Sequence, residues 1–374
     1  MTTARHFPHA MLREIFEQPK AISDTLNAYA DGTSIREDVF HSARQALVGR
    51  DTILISASGS SRHAGLAGEI LFEDLAGIAV DVEYASEYIY RSTQTLRNPC
   101  FVVISQSGET ADTSEALREA IARGSSTIAI TNRADSSMAK LAGCSLPTLA
   151  GTERAVPATK SFTTQLAVLS LLALYTARIR GRMTRAVVES QLAHLYEVPA
   201  ALEAALPRWE KQVSQLSDSL QMAETFLFLG RGVHYPIARE GALKLKESAY
   251  IQAEGYPTGE LKHGPNALVS RHNPLIVLAT CDPSAPDSVL RYEKTVNLVR
   301  DMNKQGADII SVVSEGDKRV AELSRIAIEV PQAAEYVSAL YEVVPLQLLA
   351  YFMAISRHID VDNPRNLVKA VVQE

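Results

Sequence analysis

Short apolar, β-rich runs recur along this chain, each followed by a small-residue turn and then helical spacing, and this alternation most constrains the fold. Thr52–Ser56 leads through Ala57-Ser-Gly-Ser-Ser61 into a helical pattern from His63 to Leu75. Val80–Tyr84 is a second strand candidate. Cys100–Ile104 is a third, followed by Ser105-Gln-Ser-Gly-Glu-Thr110 and a helix over Asp112–Arg123. Thr127–Thr131 and Leu146–Leu149 supply a fourth and fifth. Strands alternating with helices predict a parallel sheet covered on both faces. The pattern then repeats. Phe226–Gly230 matches Ile53–Gly59, and Leu275–Thr280 matches Phe101–Ser105, both about 173 residues later, as an internal duplication places them. Ile309–Val313 and Ile326–Val330 continue the second copy, and Tyr336–Ser356 closes it as a helix. Helices are also expected over residues 9–29, with Pro19 as a kink or second start, and over Ile35–Leu47. Thr159–Ala177 reads as a long apolar helix, with more helix to about Ala205. The expectation is two similar α/β domains joined by helices near residues 185–205.

Composition narrows the function. The 374 residues are 46% hydrophobic and 21% charged with a net charge of −6, an ordinary soluble balance with no long basic run. This disfavours nucleic acid and anionic membranes as partners. No apolar run approaches a membrane span, and the N-terminus lacks the hydrophobic core of a secretory signal. Cys100, Cys144 and Cys281 are odd in number and scattered, which suits reduced thiols in a cytoplasmic protein without a zinc framework. No cluster has metal-ligand spacing, and His6, His9 and His63 read as surface or capping residues. Neither a P-loop nor a complete dinucleotide fingerprint is present, so no cofactor is expected.

Two stretches carry chemistry. Ser105–Thr110 combines hydroxyls with Gly108 ahead of a helix N-terminus, and Ser58-Gly-Ser-Ser61 offers a similar set from another strand end. Helix capping explains either loop alone; together they favour binding of a phosphate monoester. In Glu240–Leu268, Glu240, Lys244 and Glu247 share a helical stripe, then Gly255, Pro257 and Gly259 break the helix into a loop bearing Glu260, Lys262 and His263. A solvated helix face is the bland alternative. A carboxylate, amines and an imidazole near a bound sugar phosphate would suit an isomerase or a related lyase.

The chain also resembles a family. EIFEQP at Glu14–Pro19, SQSGETADT at Ser105–Thr113, GTERAVPATKSFTTQL at Gly151–Leu166, FLGRGVHYPIAREGALKLKESAYIQAE at Phe228–Glu254, GELKHGP at Gly259–Pro265 and DVDNPRNLVKAVVQE at Asp360–Glu374 resemble glutamine–fructose-6-phosphate aminotransferase. The similarity is to its isomerase half, a pair of sugar isomerase (SIS) domains. The resemblance implies an α/β fold of two tandem SIS domains, each a parallel five-stranded sheet flanked by helices in a flavodoxin-like three-layer sandwich. The domains expected are an N-terminal helical segment (1–32), a phosphate-binding SIS domain (33–190), a second SIS domain with the catalytic helix and loop (200–357) and a tail closing the active site (358–374).

By the same resemblance, Ser61, Ser105, Gln106, Ser107 and Thr110 bind the substrate phosphate, and Val156, Ala158, Gly59 and Ser60 contact the sugar. Glu247 shuttles a proton between C1 and C2, Lys244 assists at the substrate oxygens, and Lys369 forms a Schiff base with fructose 6-phosphate. His263 opens the ring, reaching in from the neighbouring subunit of a homodimer. Two departures stand out. The chain opens Met-Thr-Thr-Ala with no room for a glutaminase, and Ala158, after Pro157, replaces a serine that touches the sugar. The first points to hydrolysis, as in type II glucosamine-6-phosphate deaminases: glucosamine 6-phosphate and water giving fructose 6-phosphate and ammonia. The alternatives are a hexose-phosphate isomerase or deglycase, the isomerase subunit of a synthase with a separate glutaminase, and a non-catalytic sugar-phosphate sensor.

Overall fold

The computed structural model describes residues 5–91 and 98–371. Two compact units emerge, one made of Lys20–Gly151, Ser161–Pro199 and Ala370–Glu374, the other of Met1–Pro19, Thr152–Lys160 and Ala200–Lys369.

In the first unit the strands are β1 (Thr52–Ala57), β2 (Ala79–Tyr84), β3 (Cys100–Ser105), β4 (Ser126–Thr131) and β5 (Cys144–Pro147). They pair in parallel in the order β2-β1-β3-β4-β5. The central strand β3 is buried along its whole length, which is why it reads as an unbroken apolar run rather than an alternation. The chain leaves β1 to one side and β3 to the other, so the carboxyl ends of these two strands flank a topological switch point. The helices Gly59–Leu71 and Ala111–Ala122 start there.

The second unit repeats the plan with β6 (Thr225–Gly230), β7 (Gln252–Pro257), β8 (Leu275–Ala279), β9 (Ile309–Ser314) and β10 (Ile326–Val330), ordered β10-β9-β8-β6-β7 and all parallel. Read from its own first strand, the order is the same as in the first unit, so the duplication seen in the apolar pattern extends to topology. Helix His234–Ala249 follows β6, and helix Glu335–Ser356 closes the unit.

Several expectations need correction. The stretch after helix His234–Ala249 is not simply a loop: Gln252–Pro257 is edge strand β7, followed by a 3-10 turn, Thr258–His263. Gly255 and Pro257 hid it, yet both suit an edge. A Cβ at Gly255 would sit 2.6 Å from the Arg239 backbone, so the glycine is there for close approach. Residues 9–29 form two helices, Ala10–Phe16 and Gln18–Tyr29, in keeping with the second start expected at Pro19, whereas the helix expected over 35–47 is confined to His41–Leu47. The fifth strand begins two residues earlier than expected, and the helix Pro286–Lys304 was not among the expected elements, although Pro286 at its start, Asp287 in its first turn and the spacing of Tyr292, Val296 and Val299 mark it. His63 is buried rather than superficial. Two helices, Lys160–Ile179 and Glu335–Ser356, are long and apolar enough to cross a membrane by length and composition; 89% of each apolar window is buried in the protein, as in core helices.

Candidate active site

In the first unit the phosphate-loop residues come together. Ser105, buried at the end of β3, accepts the Gly108 N–H through Oγ at 3.0 Å, and the same oxygen lies 3.0 Å from Thr110 Oγ1 and 3.5 Å from Ser107 Oγ. Ser107 Oγ accepts the Glu109 N–H at 3.1 Å, and the Gln106 carbonyl accepts the Asn132 N–H at 3.1 Å. Gly108 has φ +67°, and a Cβ there would lie 2.2 Å from Ser136 Oγ, so this turn requires glycine. The result is a cup of hydroxyls ahead of the helix Ala111–Ala122. Gly59, also at positive φ, and Ser60 and Ser61 begin the helix after β1, where Gln165 donates to Ser61 Oγ at 3.1 Å. The tail reaches this unit too: the Val371 carbonyl accepts the Ala111 N–H at 3.0 Å, meeting one of the donors that a helix start leaves open.

In the second unit, helix His234–Ala249 buries the polar stripe that sequence alone could assign to solvent. The side chains of Glu240 and Lys244 are 0% and 1% exposed, whereas Glu247 is 23% exposed. Lys244 Nζ lies 2.5 Å from Glu247 Oε2 and 3.5 Å from Glu240 Oε1. Burial alone would push the Lys244 pKa down. Glu247 and Glu240, with a smaller contribution from Glu153, outweigh burial and hold it above the ordinary lysine value. A charged ammonium thus stands behind a carboxylate that is partly open to solvent.

The loop Thr152–Lys160 and the tail assemble in this same unit. Lys369 donates to Glu153 Oε2 at 2.5 Å and to the Ala155 carbonyl at 2.7 Å. Glu153 Oε1 accepts the Thr159 N–H at 2.9 Å. Val156 donates its N–H to the Asp362 carbonyl at 3.0 Å, and the Asp362 carboxylate accepts the N–H groups of Ala10 and Met11, both at 2.8 Å, capping the helix Ala10–Phe16. The tail's Arg365 N–H donates to the Tyr250 hydroxyl at 2.6 Å, and its guanidinium lies 4.2 Å from that ring's centroid. Val156 and Ala158 are part-buried, and His263 stands exposed at the end of its turn.

Sequence reasoning missed two carboxylates. Glu14, fully buried, accepts the N–H groups of Arg154 at 2.6 Å and Ala155 at 3.2 Å and so shapes the loop next to Lys369. Burial chiefly, and then Glu153, raise its pKa, while the backbone donors oppose the rise. Glu153 is the second. Both lie inside the quoted motifs EIFEQP and GTERAVPATK, which was the available signal.

The sequence profile of the SIS domain matches residues 46–175 and again 219–357, one match over each parallel sheet. This chain belongs to the SIS domain family. The tandem SIS chain is 42% identical over 99% of its length to glutamine–fructose-6-phosphate aminotransferase [isomerizing] of Gloeobacter violaceus, and spans 59% of that relative. Among solved structures it is similar to the C-terminal domain of glucosamine-fructose-6-phosphate aminotransferase from Francisella tularensis, with 36% identity, a TM-score of 0.90 and coverage of 97% of this chain and 100% of that one. Glucosamine-6-phosphate deaminase from Thermotoga maritima is similar at 25% identity and TM-score 0.74, with 97% and 100% coverage. The chain therefore corresponds to the isomerase half of the aminotransferase relatives, with the fold of sugar-phosphate isomerases.

Proposed function

We propose that this tandem SIS chain interconverts an amino-hexose 6-phosphate and fructose 6-phosphate, releasing ammonia from glucosamine 6-phosphate in the presence of water. The observation that carries this reading is the pair Lys244–Glu247, a carboxylate partly open to solvent and backed at 2.5 Å by a buried ammonium. In this reading the hydroxyl cup of Ser61, Ser105, Gln106, Ser107 and Thr110 holds the phosphate. Glu247 removes the proton from C2 of the open-chain amino aldehyde and returns it to C1. The resulting C2 imine passes to the Lys369 amine, releasing ammonia, and water then frees the ketose. His263 opens the ring from a partner subunit in a homodimer, Val156, Ala158, Gly59 and Ser60 contact the sugar, and the tail closes over it. The solved relative named as a deaminase supports the direction. The chemistry needs neither metal nor nucleotide.

A second reading, that the chain supplies the isomerase step of amino-sugar synthesis, is favoured by its higher identity to the aminotransferase relatives. One assay separates the two. Ammonia release is measured from glucosamine 6-phosphate, with galactosamine 6-phosphate, glucose 6-phosphate and fructose 6-phosphate in parallel. The deaminase reading expects ammonia from an amino sugar and its loss in Glu247→Gln. Hexose-phosphate isomerisation without ammonia release would sink it in favour of the second.

A further inference from the structure

Glu153 is a buried ionisable group in contact with Lys369 that the scheme above leaves without a task. Its side chain is 0% exposed, and one oxygen is occupied by the Thr159 N–H at 2.9 Å. The other is 2.5 Å from Lys369 Nζ, whose side chain remains 25% exposed. The Ala155 carbonyl takes a second Lys369 N–H at 2.7 Å. Glu14 fixes the backbone of Arg154 and Ala155 immediately after Glu153, so the carboxylate is held on a preset loop rather than on a mobile one. Glu153 also adds to the negative field that keeps Lys244 charged.

A lysine held as an ammonium has no lone pair with which to attack a carbonyl. We propose that Glu153 is the proton partner of Lys369: it holds the tail lysine in place and exchanges the proton that imine formation requires. This rests on the reading that Lys369 carries the C2 Schiff base; the step is written as its formation from the ketose, the reverse of the hydrolysis that frees it. The step balances with the groups present. Glu153 takes one proton from the Lys369 ammonium. The freed nitrogen lone pair forms the N–C2 bond as the carbonyl π pair moves to oxygen. A proton passes from that nitrogen to the oxygen, giving a carbinolamine. Glu153 returns its proton to the hydroxyl, which leaves as water as the C=N bond forms. The carboxylate is regenerated, and the iminium keeps the single positive charge that the ammonium began with.

The test is borohydride trapping of the Lys369 iminium with fructose 6-phosphate, timed by mass spectrometry of the peptide carrying Lys369. In Glu153→Gln the trapping rate should fall by about 100-fold or more and change its pH profile, since the internal base is gone. Glu153→Asp should recover part of the rate, and added formate should restore part of it in Glu153→Ala. Wild-type trapping rate and pH profile in Glu153→Gln would overturn the proposal. So would slow trapping that neither the aspartate variant nor formate improves, because a carboxylate that merely braces the loop gives that result. Absence of any adduct in the wild type would instead remove the role of Lys369, and this inference with it.

Discussion

Lys244 is a fully buried lysine whose ammonium lies 2.5 Å from Glu247 Oε2, on a helix face that its sequence could equally have assigned to water. Charged groups are rarely buried without partners, because desolvation costs several kcal/mol per ion. Here Glu240 and Glu247 bracket the cation one helical turn either side. The triad is therefore both a structural commitment of the helix and the core of the proposed site.

Replacing Lys244 by Met removes the buried ammonium that lies 3.5 Å from Glu240 Oε1 and 2.5 Å from Glu247 Oε2. The expected loss is about 3 kcal/mol of stability, the scale for breaking a buried ion pair from one side. Urea unfolding at neutral pH measures it. A variant within 0.5 kcal/mol of wild type would mean that Glu240 is easily neutralised or solvated and that the triad does not hold the helix.

His234 gives stability a pH dependence. Burial alone would lower its pKa, but Glu342, with Nδ1 2.8 Å from Oε1, and then Glu335 raise it from 6.5 to about 9. A raised folded value means that protonation stabilises the fold. The contribution is complete below about pH 6.5 and is lost as pH climbs through about 9, on the order of 3 kcal/mol in all. Unfolding free energies at pH 6 and pH 9.5 should differ by that scale in wild type and much less in His234→Gln. An equal pH slope in both proteins would assign the effect to other groups.

Gly108→Ala should damage substrate binding before anything else. The residue sits at φ +67° with Ser136 Oγ 2.2 Å from where a Cβ would be. Strain at such a position costs about 1–3 kcal/mol, and relieving it must displace the Ser105–Thr110 cup. For the sugar-phosphate substrate, KM should rise at least about tenfold, as 1.4 kcal/mol of lost binding implies. An unchanged KM would remove the loop from the phosphate site.

Asp362→Ala tests the tail. It removes the carboxylate that accepts from Ala10 and Met11, so loss of about 1 kcal/mol is expected from the cap alone. The backbone carbonyl of the same residue accepts the Val156 N–H, so releasing the segment by loss of the carboxylate should lower activity further than stability. Thermal unfolding and a steady-state assay on one preparation compare the two, and a fall in stability with full activity would separate the tail from the site.

Legibility varied with physics. Central strands were readable because β3, β8 and β9 are buried on both faces, which forces continuous apolar runs. Edge strand β7 was not, since an edge tolerates the Gly255 and Pro257 that elsewhere mark a break. The Ser105–Thr110 cup was legible because its chemistry is local: serine, glycine and a helix start within six residues. Glu14 and Glu153 were not, because their partners lie far away in the chain, Glu14 meeting Arg154 and Glu153 meeting Lys369.

By itself, then, the sequence determined the class of fold, its duplication and the local phosphate loop, each written in spacing along the chain. The tertiary structure decided which charges are buried. Whether Glu240 and Lys244 face water or core depends on what packs over the helix, and periodicity shows only that they share a stripe. Tertiary structure also brought Glu14, Glu153, Asp362 and Lys369 onto one loop. A buried carboxylate is stable only where distant donors converge on it, and convergence is a property of the folded chain.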